Sequence, residues 1–250
     1  MSTAEPPVPL RYRDRVRVSE PATQLNWGAA EIIAVLAIPL MFTTFWISTQ
    51  FTSDLATRVL IDTGLRVVLV VVLAVANRRV LAAHWKAFWK GGWRSVLLVV
   101  AGMIVLQLAI TLVRTLQGSG SSTADTTGGD DTAALAFSVL LIASFGPTVT
   151  ALIEDFTFRH TLLMRLPVWR HAALGALVVV VNALLFGAIH INNFGGDWFS
   201  TLQYAAAGLI MNLLYLWVRN IWSVLLMHAL NNFLLGGPLI VALVHLLGAS

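Results

Sequence analysis

Three short constellations in the second half of the chain carry residue types that hydrolytic chemistry needs. The first is Glu154-Asp155-Phe156-Thr157-Phe158-Arg159. On a helix, Asp155 and Arg159 are four apart and share a face, so they can pair. Glu154 is offset by about 100° and cannot easily share that Arg. One acid is thereby neutralised structurally, and the other is left to act as a general base. The second constellation is Phe186-Gly187-Ala188-Ile189-His190, followed by Asn192 and Asn193. Asn182, Phe186 and His190 recur every four residues on one face of an otherwise apolar run. The third is His228-Ala229-Leu230-Asn231-Asn232. His228 and Asn232 share a face and can both donate hydrogen bonds to one oxygen, which suits an oxyanion in a dry site. Taken singly, each has a plainer reading: charges at a helix end, a satisfied core histidine, or interhelical packing through Asn.

The elements that must position these groups are set by composition. The chain has 250 residues, 58% hydrophobic and 11% charged, with a mean hydropathy of +0.80. Soluble domains carry about 25% charged residues, so a disordered chain is excluded and an ordinary soluble domain disfavoured. With no Cys, disulfide scaffolds, thiolate zinc sites, iron–sulfur ligation and a Cys nucleophile are all excluded. The net charge of +4 and pI near 10.1 come from basic residues beside apolar runs. That placement reads as membrane orientation, and nucleic acid is not expected as a partner.

A span needs about 20 apolar residues. That ruler gives segments near 28–49, 56–76, 94–116, 133–153, 172–190, 200–218, 221–235 and 238–248, the last two short and parted by Gly236-Gly237-Pro238. The expected fold is all-α: a polytopic helical membrane bundle of seven or eight spans. Residues 1–26 read as a solvated cytoplasmic tail and 27–250 as one membrane domain. The basic stretch 77–94 is placed inside and the acidic, Gly/Ser/Thr-rich 117–131 outside. This gives an integral plasma-membrane protein with a cytoplasmic N-terminus. His84 and His171 fall in loops and are expected to be solvated; His160 and His245 receive no role. Asp62 and Arg66 are expected to form a structural pair, and Asn212 to serve helix packing.

Taken in order, EDFTFR, FGAIH and HALNN resemble the three motifs of the CPBP family, also called ABI. This family comprises membrane-embedded CAAX-type prenyl proteases and bacteriocin-processing or immunity proteins. Its motifs are Glu-Glu-x-x-x-Arg, Phe-x-x-x-His, and a His with Asn four residues later. The resemblance covers roughly residues 135–235. It implies an intramembrane endopeptidase in which Glu154 and His190 activate water, while His228 and Asn232 hold the oxyanion. Asp155 and Arg159 then support the site. The chain departs from the family at Asp155, where a second Glu is usual, and at Pro147, which lies seven residues ahead of Glu154.

The cofactor stays open. Glu154, His190 and His228 could supply three zinc ligands with a fourth position for water, and a metal-free glutamate route works equally on paper. The implied partners are membrane lipid and a peptide or protein substrate, with prenylated substrates among those allowed. Two other readings of the buried Glu and His stand beside this one: a non-catalytic scaffold or immunity protein of the same fold, and a proton-coupled transporter. Counting residues from Arg170 also places His190 nearer the outer side than Glu154. A kink at Pro147 in a long fourth span is expected to narrow that gap.

Overall fold

The structure is a computed structural model that describes residues 11–118 and 135–248. The Pro-rich start and nearly all of the 117–131 segment assigned to the outer side lie outside the described residues. Every regular element among the described residues is helical. A short α1 (Tyr12–Val16) is followed by α2 (Ala29–Thr49), α3 (Leu55–Ala76), α4 (Arg78–Lys90) and α5 (Trp93–Gln117). The second half holds α6 (Phe137–Ala143), α7 (Gly146–Asp155), a π-helix (Phe156–Leu163), α8 (Ala172–Ala188), a 3₁₀ turn (Ile191–Phe194), α9 (Leu202–Val218), α10 (Ile221–Leu235) and α11 (Pro238–Gly248).

Each of the eight apolar segments expected from the sequence carries helix among the described residues, the fourth as two helices rather than one. Among the described residues, five stretches are long and apolar enough to cross a membrane: Ala29–Thr49, Leu55–Ala76, Trp93–Gln117, Phe137–Leu163 and Ile221–Gly248. Helices α8 and α9, at 17 residues each, are also apolar but shorter. Apolar side chains cover the outside of the bundle, among them Val68, Val71 and Val75 of α3 and Leu97, Ile104 and Leu108 of α5. Such a surface suits hydrocarbon, where each helix satisfies its own backbone. The packed interior lies where the π-helix, α8, α9 and α10 meet, around Ile153, Phe186, Met211, Val224 and Met227.

Three sequence expectations change. First, the fourth span does not kink at Pro147. The chain breaks after Ala143, turns through Ser144 and Phe145, and restarts with Pro147 in the first turn of α7. There its missing N–H costs no helix bond. Helix then continues through Asp155 into the π-helix, so Glu154 and Asp155 lie mid-helix rather than at an end. Arg66 helps to fix α7 from α3: its Nε sits 3.0 Å from Asp62, the expected pair, and its Nη1 donates to Thr150 at 2.9 Å.

Second, the described part of the N-terminal tail is docked rather than solvated. Val16 is fully buried. Asn220 Nδ2 donates to the Val16 carbonyl, and Val18 and Ser19 donate their N–H groups to Arg219 O. The backbone N–H of Ala22 reaches Met164 O. These bonds answer carbonyls left free at the ends of α9 and the π-helix, a demand no local pattern in residues 11–22 announces.

Third, His84 is buried in α4, not solvated. Its Nδ1 accepts the Ile221 backbone N–H at 2.9 Å, and its Nε2 lies 3.2 Å from Ser19 Oγ. Burial, with Arg165 nearby, pushes the imidazole down to about 4. A folded-state value below the unfolded 6.5 means that the unfolded chain binds the extra proton first. This contribution is therefore complete above pH 6.5 and fades as pH falls towards 4, by up to about 3 kcal/mol. The melting temperature in detergent is expected to drop between pH 7 and pH 5, and His84→Gln to flatten that drop; an equal slope in the variant would contradict the assignment.

Candidate active site

The site begins with a change of helix pitch. Glu154 and Asp155 end α7, and the next eight residues run in i→i+5 turns, a form found mostly as local bulges at functional sites. Neighbouring helices hold the widened turn. Thr157 Oγ1 donates to Ala34 O of α2, and Asn182 Nδ2 of α8 donates to Phe158 O at 2.9 Å. The Asn182–Phe158 and His190–Glu154 approaches run in opposite senses along the two chains, so α8 is antiparallel to α7 and the π-helix. That packing removes the expected depth mismatch: His190 and Glu154 lie side by side.

Glu154, with only 3% of its side chain exposed, has Oε1 3.6 Å from His190 Nε2 and Oε2 3.9 Å from His228 Nε2. The tautomer of His190 follows from its other nitrogen. Nδ1 lies 2.8 Å from the Phe186 carbonyl, which can only accept, so Nδ1 carries the proton. In neutral His190 the Nε2 lone pair then faces the carboxylate. Two acceptors at that separation do not bond each other; they suit a water that donates to both. His190 is held flat by Tyr204, whose ring stacks on it at 4.1 Å and 8° and whose hydroxyl is hydrogen-bonded with Asn193.

Asp155 and Arg159 form the expected pair, both fully buried, with Nη1 and Oδ1 3.4 Å apart. The separation is in ion-pair range but gives no hydrogen bond, as a carboxylate one methylene shorter than Glu allows. Asp155 Oδ1 also lies 3.5 Å from His228 Nδ1. His228 is thus bracketed by the two acids, one at each ring nitrogen. The guanidinium carbon sits 4.1 Å from the Phe186 ring centroid, within reach of a cation–π attraction.

Asn232 is placed differently. Its Nδ2 donates to the Pro147 carbonyl at 3.0 Å, and its Oδ1 accepts from Asn231 at 3.2 Å. Asn231 in turn accepts from Gln107 Nε2 at 2.6 Å. This amide chain ties α10 to the start of α7 and to α5, and no contact joins Asn232 to Glu154. One N–H of Asn232 remains beyond its bond to Pro147.

Residues not singled out as site members prove central. Phe186 is fully buried and its ring meets Phe158, His190 and His228 at 5.5, 5.0 and 5.8 Å. Its place four before His190 was a usable signal. Tyr204 offered none, because its partner comes from another helix. Gly187 is also required: a Cβ there would stand 2.8 Å from Thr201 O and 2.9 Å from Ala205 N, both backbone atoms of the facing segment. Gly187→Val is expected to cost about 1–3 kcal/mol by overpacking, read as a lower melting temperature in detergent. An unchanged value would contradict the close α8–α9 approach.

Zinc would need its ligands at about 2.0–2.2 Å from one point. Among the described residues, no group of three His, Asp or Glu is arranged to hold a metal ion.

In comparisons with known proteins, residues 134–234 match the family model described as type II CAAX prenyl endopeptidase Rce1-like. No curated protein and no solved structure matched the chain. The matched segment contains Glu154, Asp155, Arg159, His190, His228 and Asn232, and over these residues the chain is similar to that family.

Proposed function

We propose that the protein is an intramembrane endopeptidase that hydrolyses peptide bonds in or beside the bilayer. The observation that carries this reading is a nearly buried Glu154 carboxylate flanked by the Nε2 atoms of His190 and His228 at 3.6 and 3.9 Å. A water donating one hydrogen to Glu154 and the other to His190 is oriented with its lone pairs free. Its oxygen attacks the peptide carbonyl carbon while Glu154 takes the proton. His228 and the remaining N–H of Asn232 hold the developing oxyanion. Collapse expels the amine, which receives the proton from Glu154. The carboxylate is restored as the C–N bond breaks, giving one new acid and one new amine.

The family's description supports a substrate with a prenylated C-terminal region, presented at the membrane surface. The charge pattern supports a cytoplasmic N-terminus in the plasma membrane. The direct test compares peptide N-termini by mass spectrometry in membranes holding wild-type protein or Glu154→Gln at matched expression. New termini in the wild type alone are expected. Identical profiles would favour the scaffold reading, and pH-driven flux without new termini the transporter.

A further inference from the structure

A second polar chamber lies at the other end of the π-helix, apart from Glu154. A cavity of about 310 Å³ is lined by the N-terminal segment, α4 and the residues around the end of the π-helix, including Ser19, Arg79, His84, His160 and Arg165. One donor direction within it is fixed by the backbone. The Ile221 backbone N–H can only donate, so His84 Nδ1 accepts and His84 Nε2 carries the ring proton. His84 Nε2 lies 3.2 Å from Ser19 Oγ and so donates to it. In the relay that continues this direction, the Ser19 hydroxyl donates to Tyr215 at 3.4 Å and the Tyr215 hydroxyl to His160 Nδ1 at 3.2 Å. That relay leaves the ring proton of neutral His160 on Nε2. That nitrogen is buried and has no hydrogen-bond partner, although His160 as a whole is only 3% exposed.

A buried donor without an acceptor is costly, and the chamber's charges say what kind of acceptor suits it. Arg79 has no acidic partner among the described residues. Arg165 approaches Glu31 through Nε at 3.4 Å. The acid that lines the cavity, Glu20, is engaged by Arg219. We infer that this chamber binds a phosphate group, as free phosphate or as the phosphodiester of an anionic lipid headgroup. One phosphate oxygen accepts from His160 Nε2, and Arg79 and Arg165 meet the charge.

The test uses full-length protein with ¹⁵N-labelled histidine in a non-ionic maltoside micelle. Two additions are compared: inorganic phosphate, and phosphatidylglycerol mixed into the micelle. Both His84 and His160 are expected to show the Nε2–H tautomer, and the His160 Nε2–H resonance to shift on addition. A shift with phosphate alone shows that the group itself suffices; a shift with phosphatidylglycerol only assigns the site to lipid. Arg79→Gln, at an exposed position, is expected to weaken the response about tenfold, the scale of one charge-assisted hydrogen bond. No shift with either addition, an Nδ1–H tautomer at His160, or an undiminished response in Arg79→Gln would each overturn the inference. The readout does not depend on peptide hydrolysis, so it stands or falls separately from the proposed activity.

Discussion

Glu154→Gln is expected to slow peptide hydrolysis by about 10²–10⁴-fold, the usual weight of a positioned general base, while leaving the fold intact. The substitution is isosteric, and the carboxylate makes no hydrogen bond that the fold depends on: the imidazole nitrogens of His190 and His228 stand 3.6 and 3.9 Å away. The amide cannot take the proton that attacking water must lose, so the loss should fall on kcat rather than KM. Glu154→Asp sharpens the test. It keeps the charge but withdraws it by one methylene, and a displacement near 1 Å can cost about 10²-fold. The measurement is kcat and KM for appearance of a new peptide N-terminus in liposomes, with melting temperature as the control for folding. A Gln variant within tenfold of wild type would remove Glu154 from the chemistry.

The largest stability effect is expected at Arg159. Arg159→Met leaves Asp155 as an uncompensated charge in a site with no exposure, which should cost about 3–5 kcal/mol. Part of that cost is lost attraction to the Phe186 ring 4.1 Å away. Asp155→Leu should be comparably damaging, because it strands the guanidinium. The double variant should recover most of the loss, since an apolar pair of similar volume often replaces a buried ion pair at little cost. The coupling read from such a cycle, by denaturant unfolding in micelles, should exceed about 2 kcal/mol. Additive single effects would mean that the two residues do not act as a pair. The double variant also separates stability from activity, because it folds without the acid that flanks His228 at 3.5 Å.

What the sequence made legible was governed by local periodicity. The eight apolar segments, the i,i+4 pairing of Asp155 with Arg159 and of Asp62 with Arg66, and the three chemistry-bearing motifs all follow from composition and helical spacing. The misses share a different cause. His84 lies in a basic, amphipathic stretch that reads as a loop, and it is buried because the N-terminal segment and the α9–α10 turn close over it. The docking of residues 11–22 answers free carbonyls at distant helix ends. Asn232 shares a face with His228, but the amide chain from Gln107 to Pro147 gives it a second task. The π-helix has no propensity signature of its own; Ala34 and Asn182 fix it from outside.

That widened helix also sets the angular phase between two chambers. Glu154 and Asp155 precede it and serve the His190–His228 side, whereas His160, within it, serves the Tyr215 side. In a regular helix each residue advances about 100°, and the i→i+5 run changes that advance over Phe156–Leu163. Length in this segment is therefore more tightly constrained than side-chain identity. Deleting a single residue here would rotate one chamber's groups away from their partners, even if every remaining side chain were chemically unchanged. Gene-level insertions and deletions should thus be far less tolerated between Phe156 and Leu163 than point substitutions of the apolar residues within it.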